Sequence, residues 1–177
     1  MSLENAKKLE DLKQQAEAIH ARRAAIINAQ RPKAVEAAIK QMADYLKSQG
    51  FELNYRQGSE RGFTATYNDI QVTAKATRDD ESLVAADYAI EISRGKTTKV
   101  IQLSVQRGTR IDPVRGTNTE QKISDLQNRY LPSLESLSDG ELDGSFKMFI
   151  YADNKSGKRT VELAGGKEAI DLLFEND

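Results

Sequence analysis

Residues 51–77 read FELNYRQGSERGFTATYNDIQVTAKAT, and this stretch decides the fold. Phe51, Leu53 and Tyr55 alternate with Glu52, Asn54 and Arg56. Phe63, Ala65 and Tyr67 alternate with Thr64 and Thr66, and Ile70, Val72, Ala74 and Ala76 with Gln71, Thr73 and Lys75. A period of two sends alternate side chains to opposite faces of a pleated strand. The links, Gly58 to Gly62 and Asn68-Asp69, are short enough for hairpins, which make neighbouring strands antiparallel. The alternation continues through Ala86, Tyr88, Ile90 and Ile92, and then through Ile101, Leu103 and Val105, with links at Arg78 to Ser82 and Arg94-Gly95-Lys96. The pattern predicts a meander of about five strands with one apolar face.

Upstream, the period changes to that of a helix. Leu9, Leu12, Ala16, Ile19, Arg23 and Ile26 follow a 3-4-3-4-3 spacing, the repeat of a coiled-coil seam. Arg23 is the charge in that seam, and it must reach solvent or meet an acid. Arg31-Pro32 is expected to break or kink the helix. A second helix over 33–49 carries Val35, Ile39, Met42 and Leu46 on one face and stops at Gly50.

Downstream of the meander, residues 107–117 (RGTRIDPVRGT) are a polar loop. A helix is expected from Thr117, with Glu120 in capping-box spacing. Its apolar stripe is Ile123, Leu126, Tyr130, Leu134 and Leu137, and a kink or early end is expected near Leu131 ahead of Pro132. A hairpin over Phe146–Tyr151 and Thr160–Leu163 turns around Asn154 to Gly157, and a short helix from about Lys167 to Phe174 follows. The expected class is α+β: a mostly antiparallel sheet, a five-strand meander plus a C-terminal hairpin, covered on one face by helices. The expected division is a helical arm, 1–31, and an α+β domain, 32–177. The element order resembles, in topology alone, that of the small dimeric chaperones of secretion systems, with an added arm and two more strands.

Composition narrows the chemistry. Lys+Arg numbers 26 and Asp+Glu 27, a net charge of −1, which excludes a basic coat for nucleic acid. There is no Cys and one His, which excludes disulfides, thiolate chemistry and a multi-His metal cage within one chain. No apolar run approaches a membrane span and no signal peptide is read, so a cytoplasmic location is expected.

Locally, charge is not balanced. Arg94, Lys96, Lys99, Arg107, Arg110 and Arg115 face only Asp112 in their own stretch, and the loop ends at Thr117, at a helix start. That set suits a phosphate, a carboxylate or an acidic protein surface. The plainer reading pairs these cations with Asp79, Asp80, Glu81, Asp87 and Glu91. The outer sheet face (Asn54, Thr64, Gln71, Thr73, Asp87 and Gln102 among others) is polar. Phe51, Tyr55, Phe63, Tyr67 and Tyr88 fall on the apolar face, which argues against base stacking on the sheet.

Asp139 to Gly144 resembles the opening of a calcium loop, but Ile150 stands where a bidentate Glu is required. Gly95-Lys96-Thr97 and Gly157-Lys158 lack the upstream Gly of a phosphate loop and read as hairpin turns. His20 lies on the first helix, away from any Ser or Asp cluster, so no catalytic triad is read. The expectation is a non-enzymatic binding or adaptor protein of the bacterial or phage cytoplasm, with no cofactor and no metal. It would form a homodimer through Leu9, Leu12, Ala16, Ile19, Arg23 and Ile26, and take a protein partner on the α+β domain. The alternative is a nucleic-acid-binding accessory factor whose loop 107–117 contacts phosphates.

Overall fold

A computed structural model describes residues 2–56, 61–77, 86–154 and 157–175, the side chains of 152–154 and 157–159 excepted. The helix α1 runs Leu3–Ser48, followed by β1 (Glu52–Arg56), β2 (Gly62–Tyr67), β3 (Ile70–Thr77), β4 (Tyr88–Arg94) and β5 (Thr97–Val105). Then come α2 (Thr119–Asp125), a π turn (Leu126–Tyr130), α3 (Leu131–Glu135), a 3-10 turn (Asp139–Glu141), β6 (Phe146–Asn154), β7 (Gly157–Leu163) and α4 (Gly166–Asp171). Positions 58–60, 78–82 and 155–156 of the expected turns lie outside the described residues, as do Asp79, Asp80 and Glu81.

The fold is α+β with an antiparallel sheet. Its seven strands lie in sequence order, β1 to β7. The C-terminal hairpin is therefore not a separate element. It joins the meander where β5 pairs with β6, Leu103 opposite Met148 and Val105 opposite Phe146.

By its contacts the chain divides into two compact units, residues 1–30 with 106–143, and residues 31–105 with 144–177. In the second unit the alternation read from the sequence is the burial pattern. Phe63, Ala65, Val72, Ala74, Ile90, Ile92, Ile101 and Leu103 are sealed from solvent on one sheet face. They pack with Val35, Ala38, Ile39, Met42 and Leu46 of α1 and with Ala169 and Ile170 of α4. Each large side chain buried this way is worth about 1.5–3 kcal/mol.

Pro32 does not break α1, so of the break or kink expected at Arg31-Pro32 the break does not occur. An internal proline costs about 3 kcal/mol, and the fully buried row from Ala34 to Leu46 offsets that. The helix stops at Gly50 (φ +87°). There Gly50 N–H donates to Lys47 C=O and Phe51 N–H to Leu46 C=O, at 3.0 and 3.1 Å, a Schellman pair. Gly166 opens α4 against the backbone of α1: a Cβ there would lie 2.5 Å from Met42 N, so only glycine fits.

In the first unit, Leu12 and Ala16 are buried against Ile123, Leu126, Leu131 and Leu134, with Leu9, Ile19 and Tyr130 packed around them. Most of the seam read as an oligomerisation stripe is thus covered by the chain's own later helices. The stripe also drifts. Ile27 is buried and Ile26 only half-buried, because the eighteen residues from Leu9 make about five turns of a straight helix at 3.6 residues per turn.

The helix expected from Thr117 begins one residue later. The Asn118 side chain accepts from Gln121 N–H at 2.9 Å, and the Gln121 side chain accepts from Thr117 N–H at 2.9 Å in return. Gln121, not Glu120, makes the return bond, and it reaches Thr117, the residue before the N-cap. Near Pro132 the backbone passes through a π turn in which Leu131 N–H reaches back to Leu126 C=O. This wider turn carries the chain up to the proline, which has no N–H to donate, and the helix resumes as α3.

Candidate functional site

The cations read as one cluster fall on two units. Arg94, Lys96 and Lys99 belong to the second; Arg107, Arg110, Arg115 and Thr117 belong to the first. The chain changes unit between Val105 and Gln106, so nearness in sequence does not make these residues one site.

In the second unit an open groove of about 550 Å³ lies at the sheet end formed by the β2–β3 and β4–β5 turns. Pairing of β3 with β4 sets Thr73 opposite Ser93, and their hydroxyls hydrogen-bond at 2.6 Å. Gln71, Thr73 and Ser93 give the lining its hydroxyl and amide groups and Lys96 gives it positive charge, against Asp69; Arg94 and Thr97 complete the lining. The Arg94 guanidinium stacks over the Phe174 ring, 4.2 Å from its centroid, which holds the charge in place. Lys96 rides on the Gly95 turn (φ +55°) and forms no hydrogen bond or ion pair among the described residues. Arg94 stands opposite the buried Val72, so its guanidinium lies with Phe174 on the helix-covered side, while Thr73 and Ser93 face the other way. On that outer side the groove offers Lys96 and a pair of hydroxyls, a set that suits a carboxylate. Lys99 stands on β5 opposite Ile92, on the helix-covered side of the sheet.

The other cations are largely committed to structure. Arg115 pairs with Asp112 at 2.7 Å, and its backbone N–H donates to Asp125 at 2.8 Å. Arg129 grips Asp125 with Nε and Nη2 at 2.7 and 2.6 Å, and donates to the carbonyls of Asp112 and Pro113. Arg129 is a residue that sequence reading missed. Its spacing from Asp125, i to i+4 on a helix, is the signal that could have found it. The Arg129 hydrogen bonds, then the Arg115 N–H, lower the Asp125 carboxyl to about 2. An unfolded Asp titrates near 3.8, so the native state binds fewer protons and this anchor is fully present above pH 4. It is expected to be lost as pH falls from about 4 to 2. Amide exchange at Arg115 should therefore accelerate in that window, and Asp125→Asn should abolish the acid step.

Arg23, the charge in the seam, does meet acids. Its side chain is buried, Nη1 donates to Ser138 C=O at 3.1 Å, and Asp139 and Glu141 stand at 3.3 and 3.7 Å. Glu141 also accepts from Thr109 N–H and Oγ, and these bonds hold its carboxyl below the usual range. The acidic turn that resembled a calcium loop is the counter-charge of Arg23. No group of three or more His, Cys, Asp or Glu suited to a metal occurs among the described residues. His20 Nε2 lies 2.9 Å from the Tyr130 hydroxyl.

Asp87 was expected on the polar sheet face beside the cations, and the structure corrects this. It precedes β4 and its side chain is fully buried. It takes Arg31 Nε at 2.7 Å and the Val105 N–H at 2.8 Å. The outer sheet face is polar over β2 and β3, but Phe149, opposite Gln102, and Tyr151, opposite Thr160, stand on it and pack edge to face with ring centroids 5.7 Å apart. Tyr55 and Tyr67, on the apolar side by alternation, remain half exposed near the β1 edge.

No family model, curated protein or solved structure matches the chain. No described helix is long and apolar enough to cross a membrane.

Proposed function

We propose that the protein is a non-enzymatic binding protein, and that its sheet-bearing unit takes an acidic segment of a protein partner in the groove at Lys96. One observation carries the reading: a groove of about 550 Å³, lined by Lys96 and by Gln71, Thr73 and Ser93, with one acid, Asp69, in its wall. The volume suits a few side chains of an extended segment. Lys96 supplies the charge that meets a carboxylate, and the Thr73 and Ser93 hydroxyls supply hydrogen bonds beside it.

Charge count favours protein over nucleic acid here. Even two cations would give a log–log salt slope of only about 1.5 for a single strand, too shallow to hold one at physiological salt. The test is a titration of the full chain with a hexaglutamate peptide, followed by NMR at the Thr73, Ser93 and Lys96 amides. Saturable shifts at those amides, and a loss of about tenfold in affinity for Lys96→Glu, are expected. Shifts confined elsewhere, or an unchanged affinity, would overturn the reading. An oligonucleotide bound at the same amides with a slope well above 2 would replace it with the nucleic-acid one.

A further inference from the structure

We infer that the partner's acidic segment binds as an added antiparallel strand, along the edge that β5 leaves free between Thr97 and Ile101. The inference rests on the acidic-segment reading of the groove and deepens it by fixing how the segment is held. Of the nine residues of β5, Gln102, Leu103, Ser104 and Val105 pair with β6. Thr97, Thr98, Lys99, Val100 and Ile101 pair with β4 and, among the described residues, with no strand on their other side. From Ile150 to Asn154, β6 instead pairs with β7. The sheet is therefore open between β5 and β6 from Gln102 to the β4–β5 turn.

Backbone geometry decides which groups that opening presents. Arg94 and Thr97 are partners across the Gly95-Lys96 turn, and the pair that closes such a tight hairpin exchanges hydrogen bonds. Bonding alternates along an antiparallel ladder, so Thr97, Lys99 and Ile101 turn their N–H and C=O groups to β4. Thr98 and Val100 turn theirs into the opening, where no backbone hydrogen bond reaches them among the described residues. An extended peptide adds to a strand edge of this kind through its own main chain.

Side chains select what adds. Lys99 stands opposite Ile92, on the helix-covered side, and forms no hydrogen bond or ion pair among the described residues. A lysine on an edge keeps a like edge away, and it favours a strand that sets a carboxylate opposite. Val100 faces the outer side and is 45% exposed, an apolar surface left to water. A segment with an acid opposite Lys99 and an apolar residue opposite Val100 satisfies both. Two residues beyond the first acid, a second comes opposite Thr97, which lines the groove with Lys96. Edge and groove thus take one segment in which acidic and apolar residues alternate.

The test is NMR of the full chain with the capped peptide Val-Glu-Val-Glu-Glu-Glu, and with the same peptide N-methylated at both valines. Opposite Val100 and Thr98, the valine N–H groups are the ones that bond to β5; methylation removes them and leaves every charge. At saturation the plain peptide is expected to slow amide exchange at Thr98 and Val100 by about tenfold or more. Lys99 and Ile101, already bonded to β4, should change little. Methylation should weaken binding about tenfold, and so should Lys99→Glu, whose fold circular dichroism checks. Shifts at Thr73, Ser93 and Lys96 with Thr98 and Val100 unmoved would overturn strand addition and leave the groove reading standing. Equal affinity for the two peptides, or an affinity indifferent to Lys99→Glu, would do the same. No shift at any of these amides would overturn both.

Discussion

Asp87→Ala is expected to lower the stability of the sheet-bearing unit by about 3 kcal/mol, a large share of the roughly 5–15 kcal/mol that holds a domain together. The Asp87 carboxylate has no solvent exposure and serves two donors. Truncation leaves the Arg31 guanidinium without this partner and the Val105 N–H buried without an acceptor. Breaking a buried pair costs about 3–5 kcal/mol, and Arg31, 31% exposed, recovers some hydration, which places the loss at the lower end. Arg31 and Val105 are the first and last residues of the 31–105 segment of this unit, so the carboxylate fastens both ends of that segment. Asp87→Asn keeps an acceptor for Val105 N–H and should lose about half as much. Urea unfolding followed by far-UV circular dichroism measures both, and a loss below about 1 kcal/mol for Asp87→Ala would show that the clasp contributes little.

Particular residues show what was legible in the sequence. The sheet was legible because Phe63, Val72, Ile90 and Leu103 obey a period that needs no partner to be seen. The pairing of Val105 with Phe146 was not. It spans the whole excursion through the first unit, and local turn chemistry says nothing about contacts at that separation. Pro32 misled because backbone cost is visible in a sequence and the burial that offsets it is not.

Arg23 was read as a charge in need of an acid, and the structure supplies Asp139 and Glu141 from a turn more than a hundred residues away. Asp87 was misplaced because alternation was carried one residue beyond the start of β4, where the side chain is instead buried with Arg31 Nε and the Val105 N–H. The candidate site was legible as a local excess of charge. Its geometry was not, because the run from Arg94 to Arg115 crosses from one unit to the other. Only Arg94 and Lys96 line the groove.

The seam on α1 leads to the second large effect. Spacing shows that Leu9, Leu12, Ala16 and Ile19 form a stripe; it does not show what covers them. The structure covers them with Ile123, Leu126, Leu131 and Leu134 of the same chain. Leu126 is 2% exposed at the centre of this contact, and a Leu→Ala change in such a place costs about 2–5 kcal/mol. Leu126→Ala is therefore expected to destabilise the first unit by about 3 kcal/mol. Amide protection should fall together in residues 9–19 and 119–135, since each side of the contact covers the other. Protection over β2 to β5, in the other unit, should change much less. Because the cover is intramolecular, amide protection at residues 9–19 should not depend on protein concentration. Amide protection at residues 9–19 that rises with protein concentration would mean that the stripe is covered by a second copy, since mass action stabilises only what associates. The two arrangements thus differ in a single readout, and the packing of Leu12 and Ala16 within the chain points to a flat line.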